Sequence, residues 1–185
     1  MTATIAARLV ERGVVSWNTT VAGVFPDLVG VIRSEYEDVR LGELLYHTSG
    51  VPYDVTRAPS WNQLRDETTP LQVRRRRLAA ELLSLAPDTS RGAFHYSNGG
   101  YVVAGTMLEE LTGEPWEELM SREVFDPLGM NSTGFGAPGS AGSREEPWGH
   151  RYHNSSWSAI EPGPYADNPP AIGPAGTVHT TLEDY

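Results

Sequence analysis

Tyr96 and Asn98 stand two residues apart in FHYSNGGY, residues 94–101, just before a run of small and apolar residues that reads as a buried helix. A phenol and a carboxamide at that spacing can hold an acyl substrate and move a proton. A free tyrosine has a pKa near 10 and is a poor base at neutral pH unless a nearby cation favours the phenolate. Beside a helix N-terminus and a lysine ammonium, such a phenol can take the proton of a serine hydroxyl and later return it. Two donors and an acceptor suit Asn98 to grip a substrate amide or to steer a lysine. Tyr-Ser-Asn also has a structural reading, with Asn98 as a helix cap and Tyr96 as a half-buried packing residue.

This chemistry needs a nucleophile. Ser97 lies between the two but lacks a Gly-x-Ser-x-Gly elbow, so capping the helix is its expected role. Ser49 in HTSGVP has His47 two residues earlier, too close in the chain for an attack geometry, and reads as a turn residue. The chain has no cysteine, which excludes thiolate chemistry and disulfides, and all fourteen of its basic residues are arginine. Without lysine, no Ser-Lys dyad can be built from these residues.

Three other groupings have competing readings. His150 and His153, with Asp167 later, have a spacing that a metal site can use. Helical presentation is improbable in so Pro/Gly-rich a segment, no third histidine sits at a familiar spacing, and neither a metal nor an organic cofactor is implied. Arg74 to Arg77 point in nearly all directions on a helix, so they read as a solvated surface rather than an anion patch. Trp148, Tyr152, Trp157 and Tyr165 read as packing under long loops rather than as a pocket lining.

The elements that must position Tyr96 follow from apolar spacing and breakers. MTATIAARLVERG reads as the back half of a helix, with Ile5, Ala6, Leu9 and Val10 on one face and Gly13 as the stop. VVSWNTTV reads as a short β-like stretch and FPDL as a turn. Leu41, Leu44 and Leu45 mark a short helix ended by Gly50 and Pro52. Residues 51–68 are polar and read as loop. Thr69 as N-cap and Pro70 at the first position open a helix faced by Leu71, Leu78, Leu82 and Leu85, which stops before Pro87.

The helix behind Tyr96 runs from Ser97 or Asn98 to Gly113. Its Gly99, Gly100 and Gly105 each cost about 0.8–1 kcal/mol relative to alanine, so they imply close approach by other backbone at the centre of the fold. EPWEELMSREVFDPLGM is a further helix, with Pro115 near its start and Pro127 beyond its end. After Asn131 the chain is rich in loops, and TVHTTLEDY reads as a strand or turn leading into a helix. The fold class is therefore mainly α with long loops and a few short strands.

Length and composition fit one folded domain, with 185 residues and 39% hydrophobic content. A net charge of −10 would repel nucleic acid phosphates, and no apolar run approaches the length of a membrane span.

Four segments, in order, resemble one family, the serine β-lactamase and penicillin-binding-protein superfamily in its class C and esterase-like branch. LLYHTSGVP resembles its LLxHTSGxP stretch, and FHYSNGGYVVAGTMLEELTG its Tyr-x-Asn motif with the helix behind. PLGMNSTGFG resembles PLGMxxTxF, and PAGTVHTTLEDY resembles PAGGxxSTxxDxxxF. The resemblance implies an acyl-enzyme mechanism in which Tyr96 is catalytic and Asn98 binds substrate. It also implies a Ser-x-x-Lys helix start, at i, i+3 on one face, and a Lys-Thr-Gly or His-x-Gly strand. MTATIAARLVERG resembles the stretch directly after that lysine, so the dyad is expected upstream of Met1 and the third motif after Tyr185.

The chain is then an internal portion of a larger domain: the helical subdomain of an α+β fold, with most of the central antiparallel sheet missing. Residues 1–50 would be the end of the nucleophile helix and its flank. Residues 51–135 would be the helical subdomain with the Tyr-x-Asn motif, and 136–185 a loop-rich return to the sheet. Expected partners are a small acyl substrate (β-lactam, D-amino-acid peptide or ester) and, through apolar faces meant for the sheet, a second copy. The alternatives are a non-catalytic domain that binds a peptide or wall fragment, and a decayed remnant without function.

Overall fold

The opening segment forms α1 (Thr2–Glu11), which buries Ile5, Ala6 and Leu9 and gives way to Gly13 at φ +72°. The structure, a computed structural model, describes residues 1–65 and 68–185. The expected β-like stretch after α1 is instead a turn, with a single bridge among the described residues, between Thr20 and Arg40. Its short polar side chains capture the backbone donors that a strand would need: Ser16 N–H donates to Thr19 Oγ1, and Asn18 N–H to Ser16 Oγ. Thr20 then caps α2 (Val21–Val24), FPDL is a single 3₁₀ turn, and α3 (Ser34–Glu37) follows.

In α4 (Leu41–Leu45) the three leucines are buried. The helix stops well before Gly50, and it is His47, at φ +60°, that takes the left-handed conformation behind it. The polar stretch from Val51 is irregular, with 3₁₀ turns at Val55–Arg57 and Trp61–Gln63; Asp66 and Glu67 lie outside the described residues. The next helix, α5 (Leu71–Ser84), starts one residue later than expected, because Pro70 is extended at ψ 140° and holds the cap position instead of Thr69.

The arginine run departs from its expected solvated role. Arg75 is wholly buried, on the face shared with Leu78 and Leu82, while Arg76 pairs with Asp27 and Glu110 and Arg77 with Glu81. The inward position is accepted because Glu109 and Glu117 meet the guanidinium there.

Ser97 caps α6 (Asn98–Thr112), and Gly113 at φ +74° closes it. One apolar cluster, including Leu9, Phe25, Leu44, Met107 and Trp116, covers one side of this helix. A second, including Leu78, Leu82, Val102 and Ile172, covers the other. Burial on both sides explains the glycines: a Cβ at Gly99 would lie 2.4 Å from the Pro52 carbonyl oxygen, and one at Gly105 2.4 Å from Pro174 Cγ.

The following helix is α7 (Trp116–Met120), which widens into a π turn over Ser121–Phe125 before α8 (Asp126–Leu128). Pro127 sits inside that last turn rather than beyond it. It stands in the first turn of α8, where its fixed φ suits the helix and its missing N–H costs least. Antiparallel pairing joins β1 (Gly134–Phe135) to β4 (Val178–His179), and β2 (Gly149–His153) forms a hairpin with β3 (Ser156–Ile160). Between them lies α9 (Gly173–Gly176). With 44% of residues helical and strands of two to five residues, the mainly α expectation holds.

Candidate active site

The residue between Tyr96 and Asn98 anchors the motif. Ser97 is extended (φ −142°, ψ 115°); its Oγ accepts from Gly100 N–H at 2.8 Å and donates to the Pro52 carbonyl at 2.9 Å. Both capacities of the hydroxyl are engaged and the residue is buried, so Ser97 caps rather than attacks. Ser49 is buried too, its Oγ accepting from Val51 N–H in a turn.

On either side of Ser97 the two candidate residues face outward. Tyr96 is 52% exposed, and its hydroxyl donates to Asn98 Oδ1 at 3.2 Å. The phenol ring lies 4.6 Å from the imidazole of His47 and 5.9 Å from the ring of Tyr53. Asp88 holds Tyr53 in place by accepting from its backbone N–H, and also pairs with Arg57.

His47 emerges from tertiary structure, not from the motif. Its Nδ1 accepts from Ser97 N–H at 3.1 Å, and its carbonyl accepts from His95 N–H at 2.8 Å. The ring stacks on Tyr101 at 5.0 Å and meets Phe94 edge-on at 5.9 Å. Burial pushes the His47 imidazole below its ordinary 6.5, so it is neutral at pH 7, and the Ser97 bond requires the proton on Nε2. The stretch HTSG showed this histidine as a companion of Ser49; only folding brings it to Ser97, fifty positions on.

Asn98 borders a cleft of about 230 Å³ with walls from Tyr53, Trp61, Ile172, Ala175 and Asn168. Tyr101 links this side of α6 to the start of α1. Its hydroxyl donates to the Leu45 carbonyl at 3.3 Å, and it shares a groove with Met1, Thr2, Trp116 and Pro174. In that groove Thr2 Oγ1 donates to the Pro174 carbonyl and accepts from Trp116 Nε1–H.

The remaining candidates lie apart. His150 and His153 are exposed on β2, whose alternation turns them to opposite faces, and among the described residues no three potential ligands converge. The aromatic set is not packed under loops. Tyr152 and Trp157 form an exposed cross-strand pair at 5.0 Å, and Tyr165 lies exposed beneath Arg65; only Trp148 is partly covered. A two-stranded hairpin exposed along nearly its whole length has no inside to offer these rings.

A family model described as Beta-lactamase matches residues 1–185. Penicillin-binding protein 4 of Amycolatopsis lactamdurans is 30% identical over 99% of this chain, and unguisins hydrolase ungD' of Aspergillus campestris is 28% identical over 92%. The chain spans 45% and 31% of those two proteins. Among solved structures, a D-stereospecific amidohydrolase from Streptomyces sp. superposes with a TM-score of 0.74 at 25% identity. A penicillin binding protein from Bacillus halodurans superposes with a TM-score of 0.68 at 27% identity. Each covers 99% of this chain, which spans 55% and 54% of theirs.

Proposed function

This chain belongs to the Beta-lactamase family, and on that premise we propose that it is the internal part of a serine hydrolase in which Tyr96 transfers the proton and Asn98 contacts the substrate. The observation that carries the reading is the pair itself. A half-exposed phenol and a carboxamide stand together at the N-terminus of a buried helix, beside an open cleft. The serine and lysine lie outside these residues. The serine oxygen adds to the substrate acyl carbon as its proton passes to the Tyr96 phenolate, and the phenol then returns that proton to the leaving group. Water repeats the sequence in reverse roles to release the acid. Asn98 donates an amide hydrogen to the acyl group's own amide while its oxygen steers the lysine.

The substrate is a small acyl compound: a β-lactam, a D-amino-acid peptide or an ester. Residues 1–50 form the end of the nucleophile helix and its flank, 51–135 the helical subdomain, and 136–185 the return toward a central antiparallel sheet lying outside this stretch. Tyr53 and Phe94 are exposed beside the Tyr96–His47 ring pair and offer a surface for self-association.

The test has two arms. The 185-residue chain forms no adduct with nitrocefin, labelled penicillin or a fluorogenic ester; a stoichiometric covalent adduct in its mass spectrum refutes the incomplete dyad. A chain extended upstream through an in-frame Ser-x-x-Lys and downstream through the third motif acylates, and Tyr96→Phe slows it about 10²–10⁴-fold. The absence of lysine favours a second reading, a non-catalytic binder of peptide or wall fragments. A coding sequence that truly starts at Met1 would support it.

A further inference from the structure

We propose that His47 is the positioning residue for Tyr96: its neutral ring, held in a left-handed backbone turn, is the platform that sets the phenol beside Asn98. The consequence for catalysis rests on the reading of Tyr96 as the proton-transfer residue; the platform itself does not.

Four independent observations converge on His47. Its backbone sits at φ +60°, which L side chains rarely adopt, and among the described residues the other non-glycine cases are Asn154 and Ser155 in the hairpin turn. Glycine would occupy the position without strain, so a large side chain there needs a reason. The ring supplies one. It fills the space between Tyr96 at 4.6 Å and Tyr101 at 5.0 Å, joining the exposed phenol to a residue of α6 that is itself tied to Leu45. The same ring receives Ser97 N–H on Nδ1, and the carbonyl of the same residue receives His95 N–H. His47 therefore grips the backbone on both sides of Tyr96 and the ring of Tyr96 as well.

Only one protonation state does this. An imidazolium carries a proton on Nδ1 and cannot accept from Ser97. The charged and titratable groups around it are otherwise engaged. Glu43 pairs with Arg91, and Asp88 pairs with Arg57 and stands 3.8 Å from His95. Tyr96 donates to Asn98, Tyr101 donates to Leu45, and Tyr53 contributes its ring face. Among the described residues no carboxylate pairs with the ring to hold it protonated.

The test uses the 185-residue chain with ¹³C-labelled tyrosine and histidine rings, followed by nuclear Overhauser contacts from about pH 8 down to 4.5, across the ordinary histidine range. The expected result is loss of the Tyr96–Tyr53 and Tyr96–Asn98 contacts with the same half-point as His47 protonation, while α6 amide signals persist. His47→Gly, which removes the ring and relieves the backbone, loses both contacts at every pH. His47→Asn tolerates the left-handed turn and keeps an acceptor at the Nδ1 position, so it preserves the Ser97 amide shift but not the Tyr96–Tyr53 contact. Contacts that survive in His47→Gly, or with His47 fully protonated, overturn the proposal; should a variant not fold, the titration of the unaltered chain decides. No acyl chemistry enters these measurements, so their failure leaves the hydrolase reading standing, and an inert extended chain would leave the platform standing.

Discussion

Replacing Arg75 with methionine is the perturbation for which the structure sets the clearest magnitude. The Arg75 side chain is 0% exposed and Glu109 is 4% exposed. The guanidinium pairs with Glu109, donates to Glu117 at 2.6 Å, and donates to the carbonyls of Ala171 at 3.1 Å and Pro170 at 3.2 Å. Its carbon also stands 5.7 Å from the Trp116 ring. Glu109 receives Trp116 N–H on Oε1, and its Oε2 has no partner among the described residues. Methionine fills the volume but strands a buried carboxylate, a change that costs about 3–5 kcal/mol. Against a typical domain stability of about 5–15 kcal/mol, that loss is readily measured by urea unfolding.

The acid dependence has a definite sign. Burial already pushes the Glu109 carboxyl above its ordinary 4.5 even with Arg75 beside it. Without the arginine its folded pKa rises further above the unfolded value, so the fold binds more protons. The penalty is then fullest at neutral pH and shrinks as pH falls toward 4.5. A second substitution, Glu109→Gln, keeps an acceptor for Trp116 N–H and removes the stranded charge, so Arg75→Met/Glu109→Gln should recover about half the loss or more. A single-variant loss under about 1 kcal/mol, or a double variant no better than the single, refutes the reasoning. Because Arg75 ties the 170–171 carbonyls, the single variant should also disturb amide signals of Ile172 and Ala175 in the wall beside Asn98.

Gly99→Ala drives a Cβ to 2.4 Å from the Pro52 carbonyl oxygen. It should cost about 1–3 kcal/mol or more in thermal unfolding and shift the Tyr96 ring signals. Ser97→Ala removes the α6 cap and leaves the Pro52 carbonyl without its hydroxyl donor; a loss of about 1–3 kcal/mol by urea titration is expected. His47 has its folded pKa below the ordinary 6.5, so the unfolded chain binds more protons there and stability declines as pH drops below 6.5. That slope should flatten in His47→Asn. Trp157→Ala, on a hairpin exposed on both faces, should change global stability by no more than about 0.5 kcal/mol in the same assay.

Much of this fold was legible because local rules and burial agree. The apolar faces of α1, α4 and α6, the cap at Ser97 and the stop at Gly113 combine periodicity with cap chemistry; α1 and α6 stand where the pattern places them, and α4 starts there but ends at Leu45, short of Gly50. Misreadings occur where side chains compete with backbone. Ser16, Thr19 and Thr20 turn an apparent strand into a turn and cap, and Pro127 enters a helix whose preceding turn has widened. The spacing 71, 75, 78, 82 does put Arg75 on the apolar face. Reading it as buried requires knowing that Glu109 and Glu117, over thirty positions away, would meet it.

The candidate site divides the same way. Sequence alone determined the chemical types in FHYSNGGY, the absence of lysine, and the helix that comes after, because composition and periodicity are properties of the chain itself. The tertiary structure alone decided that Tyr96 stays half exposed while Ser97 is consumed, and that Pro52 needs glycine at 99. It also brought His47 across fifty residues to grip the motif from beneath. Those are contacts between distant segments, whose pairing is settled by the shape of the shared core rather than by any local preference.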